Sequence, residues 1–282
     1  MNRLLIVAVC LMVSGCSALT TVFFYPQSVW VQTPDDMSYP YSDVYLTTAD
    51  GVQIHGWWLP PESSTSNGSS PSTVVLHLHG NAENISTHFR SILWLVEQGA
   101  GVLTLDYRGF GASEGRALIP DVLHDVEAGV QWLQQQYPDA SVWIVGQSIG
   151  AALTLTYAGR MASESVLAGV VVDAPFSGLG DVARYAVTQS WLGWVLWPWT
   201  WLLPQQWDAK QAIAKIRIPV LVIHSAEDKI IPREQGWQLY QLLQSPSCWL
   251  ESRGPHIASF AFADVREATW QFIDAGICAS AL

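Results

Sequence analysis

Short apolar runs and amphipathic stretches alternate along most of this chain. The runs fall at residues 73–78, 101–105, 141–145, 168–172, 219–223 and 247–250, each nearly free of polar side chains. Apolar residues recur at helical spacing around 88–98, 121–136, 148–159 and 234–243, and again at 257–273. Strands that are apolar on both faces belong in a parallel sheet covered by helices on either side. Ahead of the series, residues 43–59 read as a strand pair turning at Asp50-Gly51. The pattern predicts one α/β domain with a mostly parallel central sheet flanked by helices. Its chemistry is expected in the loops at the carboxyl ends of the strands.

Two stretches break the alternation. Residues 62–72 are almost all Ser, Thr, Asn, Gly and Pro, so they lack the apolar surface needed to order themselves, and a surface loop is expected. Residues 190–207 read SWLGWVLWPWTWLLPQQW, with six of the fifteen tryptophans and no charge. Pro198 and Pro204 interrupt the segment too often for a membrane-spanning helix. Its place between the runs at 168–172 and 219–223 suits a cap inserted at about 176–212. Either the tryptophans pack the core of that cap, or they form an apolar lid that receives acyl chains or dips into a membrane interface.

At 282 residues the chain is long enough for one large domain, and its formal charge of -11 with no basic cluster excludes an electrostatic grip on nucleic acid. Arg3, an apolar stretch at 4–13 and the small residues Val13-Ser14-Gly15 before Cys16 resemble a bacterial lipoprotein signal with its lipobox. That resemblance implies removal of residues 1–15 and membrane anchoring through a lipidated Cys16. An ordinary signal peptide with an incidental cysteine is the alternative. Ser17 after the cysteine favours a periplasm-facing position on the outer membrane over the inner one. Residues 16–42, with Pro26, Pro34 and Pro40 among scattered aromatics, read as a tether that partly docks on a body at 43–282. Cys10 leaves with the leader, and Cys16 is consumed by lipid. Cys248 and Cys278 remain, either bridged in an oxidising compartment or as two buried thiols.

The candidate chemistry starts at Gly146-Gln147-Ser148-Ile149-Gly150, between an apolar run and a helical stretch of small residues. A serine held on a tight strand-to-helix turn presents its hydroxyl to a base, and glycines two before and two after keep side chains out of that crowded turn. Gly111-Ala112-Ser113-Glu114-Gly115 fits the same pattern, but Tyr107 to Phe110 separate it from the strand and Pro120 follows before any helix. Ser148 is therefore the candidate nucleophile and Ser113 part of a polar loop. A nucleophile of this kind needs an acid and then a histidine further along the chain. His256 sits in a loop between the last run and the last helix, as the candidate base. Asp228 sits in the polar turn Ser225-Ala226-Glu227-Asp228-Lys229 as the candidate acid, with Glu227 and Asp173 as the alternatives. By position, the backbone amides of Asn81 and Ile149 would form an oxyanion hole. His79, Asp106 and Arg108 read as structural. His55, His88, His124 and His224 lack partners at metal-ligand spacing, so no metal is expected.

The blocks HGNAEN, DYRGFGASEG, GQSIG, DAPFS, HSAEDKIIP and GPH, spread from His79 to His256, resemble those of the α/β-hydrolase superfamily near its serine aminopeptidase-like and lysophospholipase-like branch. The resemblance implies the α/β-hydrolase fold and a cofactor-free serine hydrolase, with Ser148, Asp228 and His256 on the matching positions. It departs at Gly254-Pro255-His256, where relatives commonly carry a second glycine. The expected reaction is acyl transfer from a small-molecule ester through an acyl-enzyme on Ser148, because an apolar cap suits acyl chains. A peptidase or amidase of the same fold and a non-catalytic scaffolding lipoprotein are the other readings.

Overall fold

The computed structural model describes residues 19–62, 70–161, 167–189, 191 and 193–278. The expected leader, Cys16 and the middle of the polar loop lie outside the described residues. Eight strands form the main sheet: β1 (Ser42–Thr47), β2 (Gln53–Leu59), β3 (Thr73–Leu78), β4 (Gly101–Asp106), β5 (Ser141–Gln147), β6 (Gly169–Asp173), β7 (Val220–Ser225) and β8 (Ser247–Ser252). They lie in the order β1-β2-β4-β3-β5-β6-β7-β8. β1 and β2 form the expected antiparallel pair around Asp50-Gly51, where Gly51 takes a positive φ of 84°. β2 is antiparallel to β4, and every other pairing is parallel.

All six apolar runs are strands. Five of them continue past the apolar residues into polar ones, four of these being β4, β5, β7 and β8, which end at Asp106, Gln147, Ser225 and Ser252. Hydrophobicity stops short of these positions, whereas the backbone ladder does not, and Asp173 ends β6 in the same way. Asp106, Gln147, Asp173 and Ser225 are buried. These polar strand ends carry the site.

The pleat sorts the core onto two faces. Val74, Leu76, Leu103 and Leu105 pack with α1 (Val122–Gln136) and α2 (Ile149–Arg160). Val75, Val102, Trp143 and Val145 face Phe89, Phe260 and Phe272, the last of these in α5 (Ala263–Ala275). Helix α1 buries Val122, Val126, Val130 and Leu133, a single stripe at helical spacing. Helix α2 is so tightly enclosed that Ile149 through Gly159 are all buried, which explains its run of small residues. α5 ends at Gly276, whose left-handed conformation at φ 67° places its N–H on the Phe272 carbonyl. The remaining long helices are α3 (Leu179–Thr188) and α4 (Arg233–Leu242). The helix expected at 88–98 is broken into short turns, Ile85–His88, Phe89–Ile92 and Leu93–Glu97.

Residues 19–42 dock more fully than the prolines suggest. Tyr25–Pro26 pairs in parallel with Ala82–Glu83, and Thr20 and Phe24 are buried. Asn84 Nδ2 donates to the carbonyls of Gln27 and Val29. Cys248 in β8 and Cys278 beyond α5 form a disulfide with their Cα atoms 5.5 Å apart. In the cap, α3 is followed by a short helix at Gly193–Leu196 and a 3₁₀ turn at Trp197–Leu202. Most of the cap tryptophans are exposed rather than packed inside it.

Candidate active site

Ser148 is the single residue between β5 and α2, and it takes φ 56° and ψ -115°. A non-glycine residue at positive φ is strained, and such strain persists only where neighbouring structure fixes it. The fixing is steric. A Cβ on Gly150 would overlap the carbonyl oxygens of Leu78 and His79, and one on Gly146 would overlap Thr154 Oγ1 and the Gly150 backbone. The two glycines therefore let β5, α2 and the end of β3 close around the serine.

The loops after β7 and β8 bring two more side chains to it. His256 Nδ1 lies 2.7 Å from Asp228 Oδ2, and His256 Nε2 lies 2.8 Å from Ser148 Oγ. An ionised Asp228 can only accept, so Nδ1 carries the proton and Nε2 is left to accept from the serine hydroxyl. Burial pushes the Asp228 carboxyl up. The His256 hydrogen bond and charge, with the Ile230 and Ile231 amides on Oδ1, outweigh burial and hold it below the ordinary carboxylate value. Asp228 thus stays negative beside the imidazole. Ser148, Asp228 and His256 converge in one place.

The two alternative carboxylates lie beneath this line of hydrogen bonds rather than in it. Glu227 Oε2 accepts the Gly254 N–H at 3.1 Å, and Ser225 Oγ donates to the Gly254 carbonyl at 2.5 Å. Both anchor the loop that carries His256 to the end of β7. Asp173 accepts from Ser259 Oγ at 2.7 Å and from Gln147 Nε2 at 3.1 Å. Burial raises its pKa to about 6, against the lowering effect of those two donors. Gln147 also accepts from Ser91 Oγ at 2.9 Å, so it ties three segments together directly under Ser148.

The second serine motif is structural in its contacts. Ser113 Oγ donates to the Asp106 carbonyl and accepts the His55 N–H, which closes the loop after β4. His79 donates through Nδ1 to the Gly80 carbonyl at 2.7 Å, with Nε2 3.5 Å from Asp106. Arg108 is bonded to both Asp50 and Asp125. His77 is enclosed in β3 with Nδ1 against Thr104 Oγ1, and burial lowers its pKa to about 3.

Ser148 and His256 open into a pocket of about 270 Å³ lined mainly by apolar groups, among them Phe23, Phe176, Val182 and Ile230. Asn81 and Ile149 line it beside the serine. Ile149 is the first residue of α2, so its N–H has no intrahelical partner and is available to a ligand. His88 also lines the pocket, and burial with the neighbouring His79 lowers its pKa to about 4, so it is neutral there. Nothing in the local pattern around Phe23, Val182 or His88 marks them as part of the site. Gln147 lay inside the serine pentapeptide, but its role is visible only from its partners. A larger cleft of about 510 Å³ between Tyr39, Pro60 and Glu97 has no histidine among the described residues of its lining. Among the described residues no group of three or more His, Cys, Asp or Glu could hold a metal ion.

The model of the serine aminopeptidase S33 family matches residues 69–210, a stretch that contains Gly80, Asn81 and the Ser148 elbow. The YfhR protein of Escherichia coli K12 is 32% identical over 244 residues, covering 85% of this chain and 80% of that protein. The chain belongs to the S33 serine aminopeptidase family of α/β-hydrolases. This S33-family hydrolase is also 24% identical to the lysophosphatidylserine lipase ABHD12 of Danio rerio, over 77% of the chain and 63% of that protein. Its fold superposes on the Pyrococcus furiosus esterase Pf2001 with a TM-score of 0.73 at 22% identity, covering 89% of this chain and 97% of that one. The likeness to Pf2001 establishes the architecture, the α/β-hydrolase fold. Membership of the S33 family makes the protein a serine hydrolase.

Proposed function

We propose that the protein is an esterase that transfers the acyl group of a small-molecule ester to Ser148 and then to water. The observation that carries this reading is the unbroken line Asp228–His256–Ser148, at 2.7 and 2.8 Å, at the foot of an apolar pocket. Ser148 Oγ attacks the ester carbonyl as His256 Nε2 takes its proton. The alkoxide leaves with a proton returned from the imidazolium, and a water deprotonated by the same histidine releases the acid. The Asn81 and Ile149 amides stabilise the oxyanion, an interaction usually worth a hundredfold to a thousandfold in rate, as an order of magnitude.

The pocket favours an ester over a peptide. An aminopeptidase must hold the ammonium group of its substrate, and among the described residues the pocket lining has no aspartate or glutamate to pair with it, Glu227 of the adjoining cleft being engaged by the Gly254 N–H. Its volume lies at the lower edge of the roughly 300–1,000 Å³ usual for ligand sites, which suits a single short or medium acyl chain. Anchoring through a lipidated Cys16 on the periplasmic side completes the reading. The Cys248–Cys278 disulfide supports an oxidising compartment, although no described helix is long and apolar enough to cross a membrane.

Fluorophosphonate labelling with a substrate panel tests the proposal. The wild-type protein should label and Ser148→Ala should not. Short and medium acyl esters should be cleaved faster than aminoacyl amides. A folded wild-type protein that does not label leaves the scaffolding reading, and a strict preference for aminoacyl amides replaces the esterase with a peptidase.

A further inference from the structure

We propose that the tryptophan-rich face of the cap seats the protein on a lipid bilayer interface. The docking does not depend on the acyl-transfer reading.

The face is apolar and open. Trp191 is 82% exposed, Trp194 63% and Trp199 65%, with Val195, Trp201 and Leu202 exposed beside them. Contiguous apolar surface of this kind marks an interaction site. Its composition selects the partner. Tryptophan is enriched where bilayer meets water because the indole ring is apolar at one end and hydrogen-bonding at the other.

The cations of the cap do not select an anionic partner. Arg184 and Lys210 both pair with Asp181, and the Arg184 guanidinium lies 4.4 Å from the centroid of the Trp201 ring. The protein as a whole carries -11. Attachment therefore comes from burying indole and aliphatic surface in the interface, without a requirement for anionic headgroups.

The start of the described chain commits the occupant to a bilayer rather than a second copy. Phe23, at the end of the 3₁₀ turn Leu19–Phe23, lines the same pocket as Val182 of the cap helix α3, and Val22 beside it is exposed. Cys16 lies three residues before Leu19 in the sequence, so an acyl anchor there is tied within roughly 10 Å of that turn. Phe23 and the helix that leads into the tryptophan segment thus meet at one pocket, with Cys16 a short length of chain upstream in the sequence.

The test uses residues 17–282, which contain every described element, carrying Ser148→Ala so that turnover plays no part. Sedimentation with phosphatidylcholine vesicles, with and without added phosphatidylglycerol, should show binding to both at low and high salt. The variant Trp191→Ser/Trp194→Ser/Trp199→Ser should lose roughly tenfold or more in partitioning with its circular-dichroism melt unchanged. Absence of binding by the parent, equal binding by the variant, or binding confined to anionic vesicles and lost in high salt would each overturn the proposal. A parent that is dimeric in the ultracentrifuge and a variant that is monomeric would assign the face to a second copy instead.

Discussion

Ser259 Oγ donates a 2.7 Å hydrogen bond to Asp173 Oδ1, joining the segment three residues past His256 to the strand beside the nucleophile. Gln147 Nε2 holds the other carboxylate oxygen at 3.1 Å. Both contacts are buried, so neither partner can be replaced by water without cost. Ser259→Ala should destabilise the fold by about 1–3 kcal/mol, the usual cost of orphaning a buried polar group. It should also lower kcat more than it raises KM, because the His256 loop loses a fixed point while the pocket wall is unchanged. Chemical denaturation and steady-state kinetics on a soluble ester would check both effects.

Asp173 makes stability depend on pH in a defined direction. Burial raises its pKa from the ordinary 3.8 to about 6, so between those values the folded protein holds the proton that the unfolded chain releases. Its contribution is complete below the unfolded value and is lost as pH rises through about 6. Asp173→Asn cannot ionise and keeps an acceptor for Ser259, while the Gln147 amide turns over to face the new donor. The wild type should lose about 2–3 kcal/mol relative to this variant between pH 4 and 7, measured from denaturation midpoints.

Asp228→Asn tests the orienting carboxylate separately from the fold. The amide can accept from His256 Nδ1 only weakly and can instead donate to it, leaving the proton on the nitrogen that faces Ser148. We expect kcat to fall by roughly a thousandfold to ten-thousandfold with KM little changed. Glu227→Gln, which keeps an acceptor for the Gly254 N–H, should cost little by comparison. Equal losses in the two variants would move the catalytic acid away from Asp228.

The disulfide closes a loop between residues 30 apart and staples the end of α5 to β8. Cys248→Ser/Cys278→Ser should lower stability by roughly 3.5 kcal/mol, as the chain-entropy account of cross-links gives for a loop of this size. Reductant should reproduce the shift in the wild type and leave the double variant unaffected. Thermal melts with and without reductant measure it.

Much of the architecture was legible because it rests on local rules. The apolar runs mark strands wherever helices cover both faces, and the turn at Asp50-Gly51 is written in its own residues. What the runs missed were their polar ends. Gln147, Asp173 and Ser225 continue the ladders beyond the point where hydrophobicity stops, and those buried ends support the site. The segment 88–98 is not one continuous helix: its apolar spacing survives while the backbone passes through a 3₁₀ turn at Phe89–Ile92.

The sequence by itself determined that a serine would stand on a strained turn, since Gly146 and Gly150 flank it between an apolar run and a helical stretch of small residues. It also supplied a histidine and a carboxylate in loops of the right order. Tertiary structure alone decided that His256 meets Ser148 across 108 residues of chain, that Asp173 lies beneath the base rather than against it, and that Phe23 closes the pocket. It also decided which way the cap tryptophans face, because an indole-rich segment has the same composition whether it is buried or exposed. Local sterics and periodicity act over a few residues and can be read along the chain. Convergence and exposure depend on how the sheet brings distant strand ends together.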